Sequence, residues 1–153
     1  KEYGILNGTA LTDTISTDCF LKDFQLTYST LFSGVRHDSG DPFVWGEKMI
    51  EHYKSLGIDP ATKTLLFSDS LDFETADRIY KTFAGRAKVA FGIGTYISND
   101  TDVEALNIVM KTTKCNGMDV AKISDVDGKS MCKNPEYVDY LMRCIKWRME
   151  HDK

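Results

Sequence analysis

The sequence predicts an α/β protein, with a parallel sheet built from strand–helix repeats, then a β-hairpin and a C-terminal helix. Three observations predict it. A short apolar, β-compatible run is followed by a run of helical period three times over, and a fourth such run ends in a glycine loop. Strands separated by helices must run parallel. After Asn99-Asp100 the pattern changes to two strand-like runs joined through an Asn-Gly pair, which is a hairpin signal. This order fits part of a (β/α) barrel or an open doubly wound sheet. Four parallel strands cannot close a barrel by themselves, so raw edges remain that need further strands or a partner.

Each element has a local reason. Residues 4–12 are short, apolar and β-compatible, and end at Asp13. Ser16 or Thr17 can cap a helix whose apolar face is Phe20, Leu21 and Phe24. Leu31, Phe32 and Val35 read as a second strand, so that Arg36, Asp38 and Ser39 fall where a strand gives way to a helix. Asp41 reads as the cap of that helix and Pro42 as its first residue. That helix carries Trp45, Met49, Tyr53 and Leu56 at spacings of three and four residues, and Gly57 stops it. Asp59-Pro60 is a turn, and residues 63–67 are the third strand. Asp72 caps the next helix, with Phe73, Ala76, Ile79, Tyr80 and Phe83 as its stripe and Gly85 at its end. Residues 88–91 are the fourth strand. Residues 105–113 and 118–124 are the hairpin arms around Cys115-Asn116-Gly117. Asn134-Pro135 opens a last helix with Val138, Leu141, Met142, Ile145 and Met149 on one face.

The totals narrow the function. With 153 residues, 42% hydrophobic and 27% charged, the chain has an ordinary globular composition. A net charge of −4 argues against a nucleic-acid surface, so any phosphate must be held locally. Cys19, Cys115, Cys132 and Cys144 form no C-x-x-C pair, so neither a zinc site nor a redox motif is indicated. Scattered thiols suggest a reducing compartment. No leader and no long apolar run is visible, which points away from membranes. The first residue is Lys1 rather than Met, as expected of a piece of a longer protein.

The strand ends carry the chemistry. Asp13 follows the first strand, Arg36 and Asp38 the second, Asp69 the third and Gly92-Ile93-Gly94-Thr95 the fourth. One Asp after a strand is usually a cap. Several such junctions on one rim suit a polyanion with hydroxyls and a divalent metal such as magnesium. The glycine loop suits a phosphate, because it lets consecutive backbone amides approach. It is neither G-x-G-x-x-G nor a P-loop. Residues 65–72 (L-L-F-S-D-S-L-D) also suggest an aspartyl-phosphate phosphatase with Asp69 as nucleophile, but that chemistry wants D-x-D, and the spacing here is D-x-x-D. A non-enzymatic phosphate-binding module is a further alternative. His37, His52 and His151 have no metal-site spacing.

The motifs G-T-A-L-T-D-T-I-S-T-D-C-F-L-K-D-F (from Gly8), G-V-R-H-D-S-G-D-P (from Gly34), L-L-F-S-D-S-L-D (from Leu65), F-G-I-G-T (from Phe91), L-N-I-V-M-K (from Leu106) and C-N-G-M-D-V-A-K-I-S-D (from Cys115) occur in this order. With them the chain resembles the C-terminal half of the nicotinate phosphoribosyltransferases, among the type II phosphoribosyltransferases. The His after Arg36 and the C-N-G hairpin resemble the nicotinate branch more than the nicotinamide branch.

The resemblance implies an irregular α/β barrel, with residues 1–104 as the part that carries the phosphoribosyl site. Residues 105–153, the hairpin and last helix, would pack on the same domain. It implies a reaction that joins nicotinate to 5-phosphoribosyl-1-diphosphate, with magnesium, with ATP hydrolysed as co-substrate, in the cytoplasm and in a homodimer. By matching position, Arg36 would lie against the pyridine ring and neutralise its carboxylate. Asp13 would meet the ribose or its magnesium. Asp38 and Asp69 would hold ribose hydroxyls, the latter with Ser68. Gly92, Gly94 and Thr95 would cradle the 5-phosphate, and Ser39 would line the substrate site. The family's phosphorylated histidine and half of its ring clamp lie upstream, so this piece is expected to lack full activity without the N-terminal half.

Overall fold

A computed structural model describes residues 8–99, 101–104, 106, 108–124 and 131–151. Four strands, β1 (Thr9–Leu11), β2 (Gly34–His37), β3 (Thr64–Phe67) and β4 (Lys88–Phe91), form one parallel sheet in the order β1-β2-β3-β4. Between them lie α1 (Thr17–Asp23) and α2 (Leu26–Leu31), then α3 (Pro42–Ser55) with a 3-10 turn at Pro60–Thr62, then α4 (Phe73–Phe83). A doubly wound sheet reverses its strand order at a switch point. This sheet does not, so each strand is laid beside the last, as in a barrel wall.

Strand alternation divides the sheet into two faces. Val35, Leu65 and Phe67 point to one face and are fully buried against Trp45, Met49, Ile50 and Tyr53 of α3 and Ile79 and Phe83 of α4. The register aligns Leu11, Arg36, Leu66 and Ala90 across the other face, and all four are half-buried. That second face would line the interior of a closed barrel.

The caps follow local chemistry. Ser16 accepts the Cys19 N–H, Asp41 accepts from Phe43 and Val44 with Pro42 at the first helical position, and Asp72 accepts from Thr75. Gly57, with φ +72°, lets the chain leave α3.

A close helix contact rests on Gly46 of α3. A Cβ there would stand 2.4 Å from the Phe83 ring, which is fully buried and cannot swing away. Gly46→Ala is therefore expected to destabilise the fold by about 1–3 kcal/mol, although alanine is the better helix former. Urea unfolding checks it. A stabilised variant would show that α3 and α4 are not packed this closely.

Several expectations need correction. Leu31 belongs to α2 and Phe32 caps it, while β2 begins only at Gly34. The reason is tertiary. Buried Lys63 donates to Thr30 O and Phe32 O at 2.9 and 2.7 Å, closing the carbonyl end of α2. Arg36 accordingly lies inside β2, not at the strand–helix boundary. Phe24 caps α1 and is buried there. Phe73 and Tyr80 are exposed, so the buried stripe of α4 is Ala76, Ile79 and Phe83. The first strand, expected over 4–12, is Thr9–Leu11, and residues 4–7 lie outside the described residues.

The hairpin forms around Asn116-Gly117, both at positive φ, as a two-residue hairpin turn requires. Its strands, β5 (Lys114–Cys115) and β6 (Met118–Asp119), are far shorter than the expected arms. Ala105 and Asn107 lie outside the described residues, and 106 and 108–113 form no strand. A short helix α5 (Thr95–Ser98) follows β4, and α6 (Pro135–His151) ends the described chain.

The stripe Val138, Leu141, Ile145 and Met149 of α6 is half-buried, and Met142 is exposed. α6 meets α1 where Lys22 donates to Arg148 O and Met149 O and Arg148 pairs with Asp23. Among the described residues no helix is long and apolar enough to cross a membrane.

Candidate functional site

Parallel register brings the four strand ends to one rim, and hydrogen bonds stitch that rim one residue further. Thr12 donates from N and Oγ1 to Arg36 O at 3.3 and 3.2 Å. Ser68 N donates to His37 O at 3.1 Å, and Gly92 N to Phe67 O at 2.8 Å. Trp45 Nε1 donates to Thr12 Oγ1 at 2.8 Å and ties α3 to the same edge.

Arg36 rises from the open face of the sheet. Its Nε donates to Ser68 Oγ at 2.8 Å and its Nη2 to Asp38 Oδ1 at 2.9 Å. Ser68 Oγ in turn donates to His37 O at 2.8 Å. The Arg36 side chain keeps 44% of its exposure, so a cation is fixed in place yet accessible.

Beside it, buried Asp13 accepts from Ser39 Oγ at 3.0 Å through Oδ2, while its Oδ1 has no hydrogen-bond partner among the described residues. Magnesium takes hard oxygens and commonly binds one or two carboxylates plus substrate phosphates. Asp13 Oδ1 fits such a single ligand. Among the described residues no group of three or more His, Cys, Asp or Glu could hold a metal by itself.

His37 is the feature that sequence reasoning missed. Alternation from buried Val35 sends its ring to the helix-covered face, under the rim, 5.2 Å from Trp45 and 6.0 Å from Phe67 between ring centroids. The strand's alternation could have shown this. Burial lowers the His37 pKa. The charge of Asp69, the Gly40 backbone and the charges of Asp13 and Asp38 pull it the other way. Three carboxylates from three different junctions thus lie within electrostatic reach of one imidazole.

The fourth junction opens a cleft of about 550 Å³, lined by Ser68, Ser70, Leu71, Gly92, Gly94 and Thr95 with Asp72, Tyr96 and Asn99. Its two glycines do different things. A Cβ on Gly92 would stand 3.1 Å from Ser68 Cβ, whereas one on Gly94 would meet nothing within 4 Å among the described residues. Gly92 allows the wall to close, and Gly94 leaves backbone open to the cleft.

The structure therefore joins Arg36, Asp38 and Ser68 in one cluster, pairs Asp13 with Ser39, and sets Gly92, Gly94 and Thr95 with Ser68 around the cleft. Asp69 does not line the cleft. It accepts from Ser70 Oγ at 3.3 Å. Asp72 is engaged as a helix cap, and that bond to Thr75 favours its ionised form. The second carboxylate that an aspartyl-phosphate phosphatase would need is thus committed elsewhere.

Comparison with known proteins gives a consistent picture. The profile of the "Nicotinate phosphoribosyltransferase (NAPRTase) family" matches residues 1–147. The chain is 56% identical over 142 residues to nicotinate phosphoribosyltransferase 2 of Pseudomonas aeruginosa, covering 92% of this chain and 36% of that protein. It is 54% identical over 146 residues to the nicotinate phosphoribosyltransferase of Bordetella petrii, covering 95% of this chain and 37% of the relative. Among solved structures, nicotinate phosphoribosyltransferase from Vibrio cholerae superposes with a TM-score of 0.87 at 46% identity, over 92% of this chain and 36% of the other. The Porphyromonas gingivalis protein of the same name gives 0.81 at 45% identity, over 91% of this chain and 38% of its own. The chain spans little more than a third of the length of the relatives it matches.

Proposed function

Because the chain belongs to the nicotinate phosphoribosyltransferase family, we propose that its rim forms part of a site where nicotinate and 5-phosphoribosyl-1-diphosphate become nicotinate mononucleotide and diphosphate, a step of NAD salvage. The observation that carries this reading is the pinned, accessible Arg36 guanidinium beside the glycine-walled cleft. A planar cation suits both the face and the carboxylate of a pyridine ring. Backbone open to a cleft suits a phosphate.

In this reading the pyridine nitrogen attacks C1 of the ribose as the bond to diphosphate breaks. The nitrogen's electron pair forms the new bond, and diphosphate leaves with the old one. Positive charge builds on the ribose in between, and the carboxylates of Asp13, Asp38 and Asp69 stabilise it. Arg36 holds the nicotinate so that its nitrogen faces C1. Asp38 and Asp69 hold ribose hydroxyls, and Gly92, Gly94 and Thr95 take the 5-phosphate. Magnesium on Asp13 would mask charge on the departing diphosphate.

We assign ATP coupling, the cytoplasm and a homodimeric site to the whole protein. We assign no phosphoryl-carrying role to the three histidines of this chain. His37 is buried, His52 donates to Phe24 O at 2.7 Å, and His151 stacks on Trp147.

The test is initial-rate diphosphate release by the intact protein with nicotinate or nicotinamide. Release that needs nicotinate, 5-phosphoribosyl-1-diphosphate and ATP supports the reading. A preference for nicotinamide overturns it.

A further inference from the structure

We propose that Ser68 is a positioning residue, whose hydroxyl fixes the plane of the Arg36 guanidinium and so sets its unengaged edge for a planar aromatic carboxylate. The ligand in this statement rests on the function proposed above; the geometry does not. Ser68 Oγ accepts from Arg36 Nε at 2.8 Å and donates to His37 O at 2.8 Å. A serine hydroxyl has one proton to give. Given to that carbonyl, the proton is withdrawn from any sugar hydroxyl, and a lone pair is aimed at Nε.

Asp38 Oδ1 takes Nη2 of the same guanidinium at 2.9 Å and lies 3.4 Å from Ser68 Oγ. Bonds to two different nitrogens of a rigid planar group fix its orientation, where one bond would leave it free to turn. Among the described residues Nη1 makes no hydrogen bond, so that edge remains for a ligand. Ser68 is itself anchored, because its N–H also donates to His37 O, at 3.1 Å. Gly92 leaves the space beside its Cβ that a side chain would fill. Ser68 therefore acts through Arg36.

The test uses the intact protein labelled with 15N-arginine, with the Arg36 Nε signal assigned through Arg36→Lys. A pinned guanidinium gives a protected Nε–Hε proton. Ser68→Ala is expected to speed solvent exchange of that proton about tenfold and to weaken nicotinate binding about tenfold, the loss of one charge-assisted hydrogen bond. Ser68→Thr keeps the hydroxyl and is expected to restore both. An Arg36 signal indifferent to Ser68→Ala, or equal behaviour of the two variants, overturns the proposal. If nicotinate does not bind the unsubstituted protein, the functional reading falls, and the Arg36 signal still decides whether Ser68 positions it.

Discussion

Arg36→Ala is expected to raise the KM for nicotinate about a hundredfold while changing that for 5-phosphoribosyl-1-diphosphate less than about threefold. The asymmetry comes from where the group stands. Arg36 projects from the middle of β2 onto the open face, whereas the glycine loop follows β4, two strands away. Truncation removes a charge-assisted partner for the carboxylate. It also removes the cation paired with Asp38 at 2.9 Å, so less positive charge then offsets that carboxylate near an anionic ligand. Arg36→Lys should fall between, since an ammonium keeps the charge but lacks the planar fork that meets Ser68 and Asp38 through separate nitrogens and leaves an edge for a ligand. Steady-state kinetics with each substrate varied in turn separates the cases. Equal rises in both KM values would remove Arg36 from the pyridine subsite.

The largest loss of stability is expected for Phe67→Ala, about 3–5 kcal/mol. Phe67 is fully buried, and its ring lies 5.2 Å from Trp45, 5.6 Å from Phe83 and 6.2 Å from Phe91. It therefore joins sheet, α3 and α4 at a single point. With domains of this size stable by about 5–15 kcal/mol, the variant would lose a large share of its margin. Phe67 also supports His37 from below, directly under the rim. Urea unfolding of the intact protein checks the figure. A cost below about 1 kcal/mol would mean that this layer is not the core.

Features set by local chemistry were legible in the sequence. Asp41-Pro42, Asp72, Ser16 and Asn116-Gly117 act through backbone groups a few residues away, and each behaves as its type dictates. The ends of β3 and β4 were legible for the same reason, since a polar or glycine residue after an apolar run marks a junction, whereas β2 runs on through Arg36 to His37. Features set by distant partners were not. Leu31 reads as strand, yet it is an exposed helical residue. β2 begins at Gly34, a poor strand former, and glycine is needed there because a Cβ would come within 2.3 Å of Thr64 O on β3. Phe73 and Tyr80 fit the helical period of α4, but the buried stripe of that helix is narrower than the pattern. At the site, the residue types could be read and their bonding could not. Ser68 and Arg36 are separated by 32 positions, and nothing local links the hydroxyl to the guanidinium.

The central claim is that separate turns converge on one ligand. The most direct measurement is a crystal structure of the intact protein with nicotinate and 5-phosphoribosyl-1-diphosphate. The account predicts the nicotinate carboxylate on Arg36, the ribose hydroxyls on Asp38 and Asp69, and the 5-phosphate against residues 92–95. Nicotinate bound away from Arg36, or a 5-phosphate held elsewhere than the glycine loop, would contradict it.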